Sequence, residues 1–183
     1  MKKLLLTFFV VLCFAFASFA AEILLEEPVI VTSAGQSPGA LQFTVVAKMV
    51  SLDYKFDKLY KAEDVDMSQF KTFVIVVGAS GKGLGAAGID IEVEINRVLA
   101  LAREAKDNGL KIVICNLEGA SRRGESSDKI VTTLAPLASV YFVKSDANED
   151  GFFTNLSEEA GVPMATFEMT VGLKDVLAQY FGK

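Results

Sequence analysis

The chain has 183 residues, which favours one domain, and its 18 basic and 23 acidic side chains give a net charge of −5. An acidic protein of this kind is a poor binder of nucleic acid or of anionic membranes. The sequence contains no histidine, which excludes serine or cysteine nucleophiles activated by an imidazole and removes the usual ligands of zinc and copper sites.

The first 20 residues have the pattern of a secretory signal peptide. Two lysines precede an apolar run from Leu4 to Ala17, and small residues up to Ala20 form a signal-peptidase motif. The run is too short to span a membrane. We therefore expect residues 1–20 to be removed, leaving a single α/β domain over 21–183 outside the cytoplasm, periplasmic or secreted, with no membrane insertion.

After this segment, short apolar runs alternate with helical patterns. The predicted strands are 28–32, 52–56, 73–77, 111–117, 140–144 and 164–167. The predicted helices are 38–49, 90–106, 128–137, 154–160 and 171–180. This alternation, with strands that are apolar throughout, predicts a single doubly wound, mostly parallel sheet of about five strands flanked by helices. The expected fold is a flavodoxin-like or Rossmann-like three-layer sandwich.

The segment from Ile89 to Ile95 fits two interpretations. Its alternation of apolar and polar residues is typical of a strand. A helical apolar face also continues from Ile91 to Ala105, with Asp90 as a cap and Asn108-Gly109 as a stop signal. We predict a helix.

Ligands of doubly wound sheets bind outside the carboxyl ends of the strands. Four segments rich in glycine and polar residues fall there: 33–39, 78–88, 118–124 and 145–151. The second and third are predicted to be loops longer than most connections in such folds. The candidate site is therefore this edge of the sheet.

No cofactor or metal is predicted. Gly81-Lys82 lacks the other residues of a phosphate-binding loop, and the glycine pattern of 83–88 lies six residues past the strand end at Val77, too far for a dinucleotide fingerprint. The alternation of acidic and amide residues in 146–150 is similar to the start of a calcium loop. Ser157 stands where such a loop needs a bidentate glutamate.

A helix amino terminus attracts anions through its free N–H groups. The helix near Asp90 carries its own acidic residues, whereas the helix after Pro38 has none from Gly39 to Val50. We therefore expect a small anionic or polar ligand, carboxylate-like, near that helix start. The predicted ligand-binding residues are Ser33, Gln36, Ser37, Ser80, Lys82, Arg122 and Arg123. No catalytic residue is assigned.

Three functions are compatible with these residues. The favoured interpretation is a solute-binding module similar to one lobe of a two-lobed binding protein, whose open crevice a second copy or an envelope protein would close. The first alternative is a histidine-free hydrolase or transferase in which Lys82 activates Ser33, Ser37 or Ser80. The second is an envelope interaction protein without a small ligand. An enzyme is less favoured because a lysine flanked by glycines has little reason to lose its proton.

Four separated motifs resemble one family of exported bacterial proteins. They are residues 27–39, residues 77–90, Arg122-Arg123-Gly124 with Ser127-Asp128, and residues 150–153. The chain is similar to this family, known as domain of unknown function 6305, over essentially all of its length after the signal. The resemblance implies a bacterial protein outside the cytoplasm, and it brings no established activity, cofactor or catalytic residue.

Overall fold

One parallel sheet organises the chain. The computed structural model describes residues 24–183, and the predicted signal segment lies outside them. The strands are β1 (Val29–Ala34), β2 (Tyr54–Phe56), β3 (Thr72–Val77), β4 (Lys111–Asn116), β5 (Val140–Lys144) and β6 (Met164–Phe167). They pair in the order β2-β1-β3-β4-β5-β6, and every pairing is parallel. The predicted doubly wound, parallel sheet is confirmed: all six predicted strand segments belong to it, whereas the sheet was expected to have about five strands.

Helices cover both faces of this sheet. They are α1 (Gly39–Met49), α2 (Gly81–Ala87), α3 (Ile91–Asp107), α4 (Glu125–Leu134), α5 (Phe152–Ala160) and α6 (Leu173–Phe181). α1 and α6 contribute to the apolar cluster on one face, and α3, α4 and α5 contribute to the cluster on the other. No helix within residues 24–183 has the length and apolar character that crossing a bilayer requires.

The central strands are apolar throughout because both of their faces are covered. In β3, Val74 and Val76 belong to the cluster under α1 and α6, whereas Phe73 and Ile75 belong to the opposite cluster. All four side chains are fully buried. Each such side chain stabilises the fold by about 1.5–3 kcal/mol relative to exposure.

The ambiguous segment forms α3, as the helical interpretation predicted. The Asp90 carboxylate accepts a hydrogen bond from Val93 N at 2.8 Å, and the helix ends at Asp107, before Asn108.

Helix α2 differs from the prediction, which made residues 78–88 a loop. Glycines have a low helix propensity, so the sequence pattern hides α2. The helix forms because Ser80 Oγ accepts a hydrogen bond from Gly83 N at 3.1 Å.

The apolar residues whose spacing predicts helix α1 are not the ones that the helix buries. Leu41, Val45 and Met49 recur at helical spacing, yet they are 61%, 52% and 57% exposed, while Phe43 and Val46 are buried against the sheet. α1 is apolar on nearly all sides, so periodicity establishes that it is a helix without selecting its inner face.

The strand order places a crevice at the carboxyl edge of the sheet. From β1 the chain runs through α1 to β2 on one side, and then passes back to β3 on the other side of β1. The connections after β1 and β3 therefore lead to helices on opposite faces. A doubly wound sheet binds ligands at this reversal of strand order.

Two glycines of α2 provide a matched test of how closely this helix approaches the segment after β1. A Cβ atom on Gly83 would lie 2.0 Å from the Gln36 carbonyl oxygen, whereas one on Gly85 would meet no atom within 4 Å. We expect Gly83→Ala to lower the free energy of unfolding by roughly 1–3 kcal/mol because the backbones must separate. Gly85→Ala should raise it by roughly 0.5–1 kcal/mol. Urea unfolding followed by circular dichroism measures both, and equal stabilities would contradict the packing.

Candidate functional site

The segments after β1 and β3 are joined by backbone hydrogen bonds beyond the ends of the strands. Gly78 N donates to Ala34 O at 2.8 Å, Ser37 N donates to Gly78 O at 3.1 Å, and Ser80 N donates to Gly35 O at 2.8 Å. These bonds fix the separation of the two turns. They bring the predicted residues Gln36, Ser37 and Ser80 to one place, although they come from segments about forty residues apart.

A cavity of about 510 Å³ opens beside these turns. It lies between the start of α1, the segment after β2, and α2, and its volume is ordinary for a small-molecule site. The lining residues are Gln36, Ser37, Pro38, Ala40, Leu41, Phe56, Lys58, Ser80, Lys82, Gly83, Ala86 and Arg122. Most of the exposed lining is apolar, and polar groups occupy a few positions.

Three cations belong to this lining. The side chains of Lys58 and Lys82 make no hydrogen bond or ion pair with residues 24–183. Arg122 donates from Nε to Glu118 Oε1 at 3.2 Å, and its two terminal nitrogens have no partner in the described part of the chain. The sequence predicted Lys82 and Arg122 but not Lys58. Applying the strand-end rule to β2, which ends at Phe56, would have found it.

The start of α1 already has an acidic partner, contrary to the sequence expectation. Glu118 Oε2 accepts a hydrogen bond from Gly39 N at 3.1 Å, and Ser37 Oγ accepts from the same N–H at 3.4 Å. The expectation considered acids in the helix itself, whereas this acid comes from the segment after β4. The helix terminus is therefore not the anion-binding feature of the site.

A buried ion pair on α3, Glu94 with Arg97, holds the turn after β1. Glu94 on α3 is fully buried, and its Oε1 accepts hydrogen bonds from Gly35 N at 2.8 Å and Gln36 Nε2 at 2.9 Å. Arg97 binds both Glu94 oxygens, at 2.8 and 2.9 Å, and donates to Ser33 O at 2.6 Å. Sequence reasoning missed this pair. The sequence feature that could have indicated it is the position of Glu94, which lies on the same helical face as the buried, apolar Val98.

Gln36 is held in an uncommon backbone conformation. Its φ is +60°, and its side-chain Nε2 donates to Lys58 O and to Glu94 Oε1, both at 2.9 Å. Only 7% of the residue is exposed. Because both of its N–H groups are used, the orientation of the amide is defined. Its Oε1 is buried and accepts no hydrogen bond from residues 24–183.

Ser33 and Arg123 do not line this cavity. Ser33 lies on β1, only 1% exposed, and its hydroxyl has no hydrogen-bond partner in residues 24–183. Arg123 binds Asp128 at 2.8 Å and Asp150 at 2.9 Å, and it stacks on Phe152, with its guanidinium 4.4 Å from the ring centroid. Its guanidinium ties the start of α4 to the segment before α5 instead of joining the other predicted cations.

The residues that suggested a calcium loop have other partners. Asp146 binds Lys144 Nζ at 3.0 Å, and Asn148 Oδ1 accepts from Phe153 N at 2.8 Å, which caps α5. Asp150 binds Arg123, as described above. Within residues 24–183, no three acidic or cysteine side chains are grouped as a metal site requires.

Comparisons with known proteins identify a family and no activity. The family model described as a domain of unknown function (DUF6305) matches residues 26–181. No curated protein is similar to the chain. A GDSL-like lipase from Bacteroides thetaiotaomicron is similar in structure, with 13% identity and a TM-score of 0.37. The similarity covers 75% of this chain and 66% of the lipase. An identity and a TM-score of this size do not indicate a shared function.

The buried ion pair predicts a large difference between two neighbouring acids of α3. Glu94→Gln leaves the Arg97 guanidinium buried without its counter-charge, so we expect the free energy of unfolding to fall by about 3 kcal/mol. Glu92 pairs with Lys129 at the surface, where its side chain is 59% exposed. Glu92→Gln, the matched control, should change stability by less than about 1 kcal/mol. Equal effects in urea unfolding would contradict the supporting role of Glu94.

The pKa of Asp150 tests the separate role of Arg123. The hydrogen bond from Arg123 lowers the pKa of Asp150 to about 2. Since this folded-state value lies below the ordinary one, ionised Asp150 favours the folded state above a pH of about 4, and this contribution is lost as the pH falls towards 2. We expect a carboxyl NMR titration to give that value and to give a higher pKa in Arg123→Met. Lys144→Met, the control, should leave it unchanged. The same Asp150 pKa in the wild type, Arg123→Met and Lys144→Met would contradict the contact between Arg123 and Asp150.

Proposed function

The chain belongs to the DUF6305 family, which has no assigned activity, and we propose that it binds a small organic anion, carboxylate-like and with an apolar body, at the carboxyl edge of its sheet. The observation that carries the proposal is one cavity, of about 510 Å³, that combines an apolar wall with three cations. The amino-terminal pattern of residues 1–20 supports a location outside the cytoplasm for this binding.

The apolar wall selects the body of the ligand. Leu41, Phe56 and Ala86 line the cavity and would be covered by a bound hydrocarbon group. Burial of apolar surface contributes about 25 cal/mol per Å². A body of several carbons is therefore expected to contribute more to affinity than a small inorganic anion can obtain in the same cavity.

The cations select the charged group. Within residues 24–183, Lys58 and Lys82 have no ion-pair partner, and the two terminal nitrogens of Arg122 have no hydrogen bond. A carboxylate matches the planar fork of an arginine and also accepts from a lysine. Glu118, which binds Arg122 and Gly39 N, orients Arg122 and offsets part of its charge. We therefore assign the charged group of the ligand chiefly to Lys82 and Lys58, with Arg122 as a third donor.

The enzyme alternative has less support in this cavity. Lys82 makes no hydrogen bond with Ser33, Ser37 or Ser80 in the described chain, so none of these hydroxyls has a positioned base. Ser80 caps α2, and Ser33 is buried outside the cavity. Binding without turnover is the function that requires no further group.

Thermal denaturation with matched ligands tests the proposal. Hexanoate and phenylacetate carry a carboxylate, whereas hexanamide and hexylamine keep a similar body without the negative charge. We expect the carboxylates to raise the melting temperature, since a ligand at about 100 times its Kd stabilises a folded chain by about 2.7 kcal/mol. The amide and the amine should have no such effect. Stabilisation by none of these ligands would overturn the proposal.

A lysine variant tests the assigned charge. Lys82→Gln should weaken carboxylate binding about tenfold, equivalent to about 1.4 kcal/mol, because the cation facing the ligand is lost. The control is Lys174→Gln, which removes a half-exposed lysine of α6 outside the cavity. Isothermal titration calorimetry gives both dissociation constants. Equal affinities in the two variants would show that Lys82 does not contact the ligand.

A further inference from the structure

The geometry points to a narrower ligand class: an organic carboxylate that also carries a hydrogen-bond donor, a hydroxyl or an ammonium, which Gln36 Oε1 recognises. This inference rests on the proposed binding of an anion in the same cavity. It adds a second recognition element, a buried acceptor, to the cations already assigned to the carboxylate.

The side-chain oxygen of Gln36 is a buried acceptor without a hydrogen bond in the described chain. The residue lines the cavity and is 93% buried, and its Oε1 has no partner in residues 24–183. Buried amide oxygens are nearly always paired, because an unpaired one loses its hydration without compensation. The amide cannot turn to remove the problem, since its Nε2 is committed to Lys58 O and Glu94 Oε1.

The other polar side chains that line the cavity can all donate hydrogen bonds. Ser37 Oγ and Ser80 Oγ each already accept a backbone hydrogen bond, from Gly39 N at 3.4 Å and Gly83 N at 3.1 Å, and each retains a hydroxyl hydrogen to donate. The lysine and arginine groups only donate. Among the described side chains that line the cavity, Gln36 Oε1 is therefore the buried acceptor that has no hydrogen bond.

A ligand that fits this cavity must pair with both the donors and the Gln36 acceptor. A plain carboxylate satisfies the donors and leaves Gln36 Oε1 unpaired when the ligand excludes water. A ligand with a hydroxyl or an ammonium near its carboxylate supplies the missing donor. A site built to hydrogen-bond such a group discriminates against an analogue that lacks it, because the polar atom of the protein is then left buried and unpaired.

Isothermal titration calorimetry on the wild-type chain tests this discrimination directly. The ligands are hexanoate, its α-hydroxy and β-hydroxy derivatives, and its α-amino derivative, which share one carbon chain. We expect at least one derivative to bind about tenfold or more tightly than hexanoate. A gain with the hydroxy acids alone identifies a hydroxyl ligand, and a gain with the amino acid alone identifies an ammonium ligand.

The outcomes separate this inference from the proposed function. If hexanoate binds and every derivative binds within about twofold of it, the recognition by Gln36 is wrong and anion binding stands. If none of the four ligands binds, the proposed function fails together with the inference.

A variant assigns the effect to Gln36. Gln36→Met keeps the length of the side chain and removes its amide, so the affinity ratio between the best derivative and hexanoate should fall to about one. Gln42→Met, on the exposed side of α1, is the control and should keep the wild-type ratio. Circular dichroism establishes whether each variant is folded. The wild-type ligand series still decides the matter if Gln36→Met does not fold, and an unchanged ratio in a folded Gln36→Met would overturn the inference.

Discussion

The site depends on a carboxylate that does not line it. Glu94 is fully buried on α3, and its Oε1 is shared by Gly35 N, Gln36 Nε2 and Arg97. A buried charge is tolerated only when it is paired and hydrogen-bonded, so the position of α3 and the path of the turn after β1 constrain each other. Arg97 extends the constraint, because it also binds the carbonyl groups of Ser33 and Tyr60. The contacts of Glu94 and Arg97 thus fix the turn that carries Gln36 and Ser37 into the cavity lining.

The distribution of charge around the cavity differs from that of the whole chain. The protein has a net charge of −5, yet the charged side chains at the cavity that have no ion-pair partner within residues 24–183 are the cations Lys58 and Lys82. Glu94 and Glu118, which contact the segments that line the site, are engaged by Arg97, Arg122 and backbone N–H groups. At the proposed site this local positive charge would attract small anions, and the attraction would weaken as salt rises. Net charge alone, which argues against polyanion binding, does not reveal this site.

The sequence predicts the strands and helices better than the side-chain contacts at the candidate site. Runs such as 73–77 are apolar throughout because both faces of the sheet are covered, and this pattern is readable without coordinates. Once the strands are known, their carboxyl ends locate Gln36, Ser80 and Lys82. The roles of Glu94 and Glu118 were not predictable in this way. Each contacts a segment more than fifty residues away, and local patterns assign such residues only to a helix start or a loop.

The contacts around Gln36 determine the conformation of the turn after β1. A φ of +60° is unfavourable for a residue with a side chain, so the conformation persists only where surrounding contacts determine it. Those contacts are the bond from Gly35 N to Glu94, the two bonds of Gln36 Nε2, and the backbone bond between Ser37 and Gly78. All of them lie within the protein. The conformation of the turn is therefore set by the protein itself, and a ligand at the proposed site would use little of its binding free energy to order it.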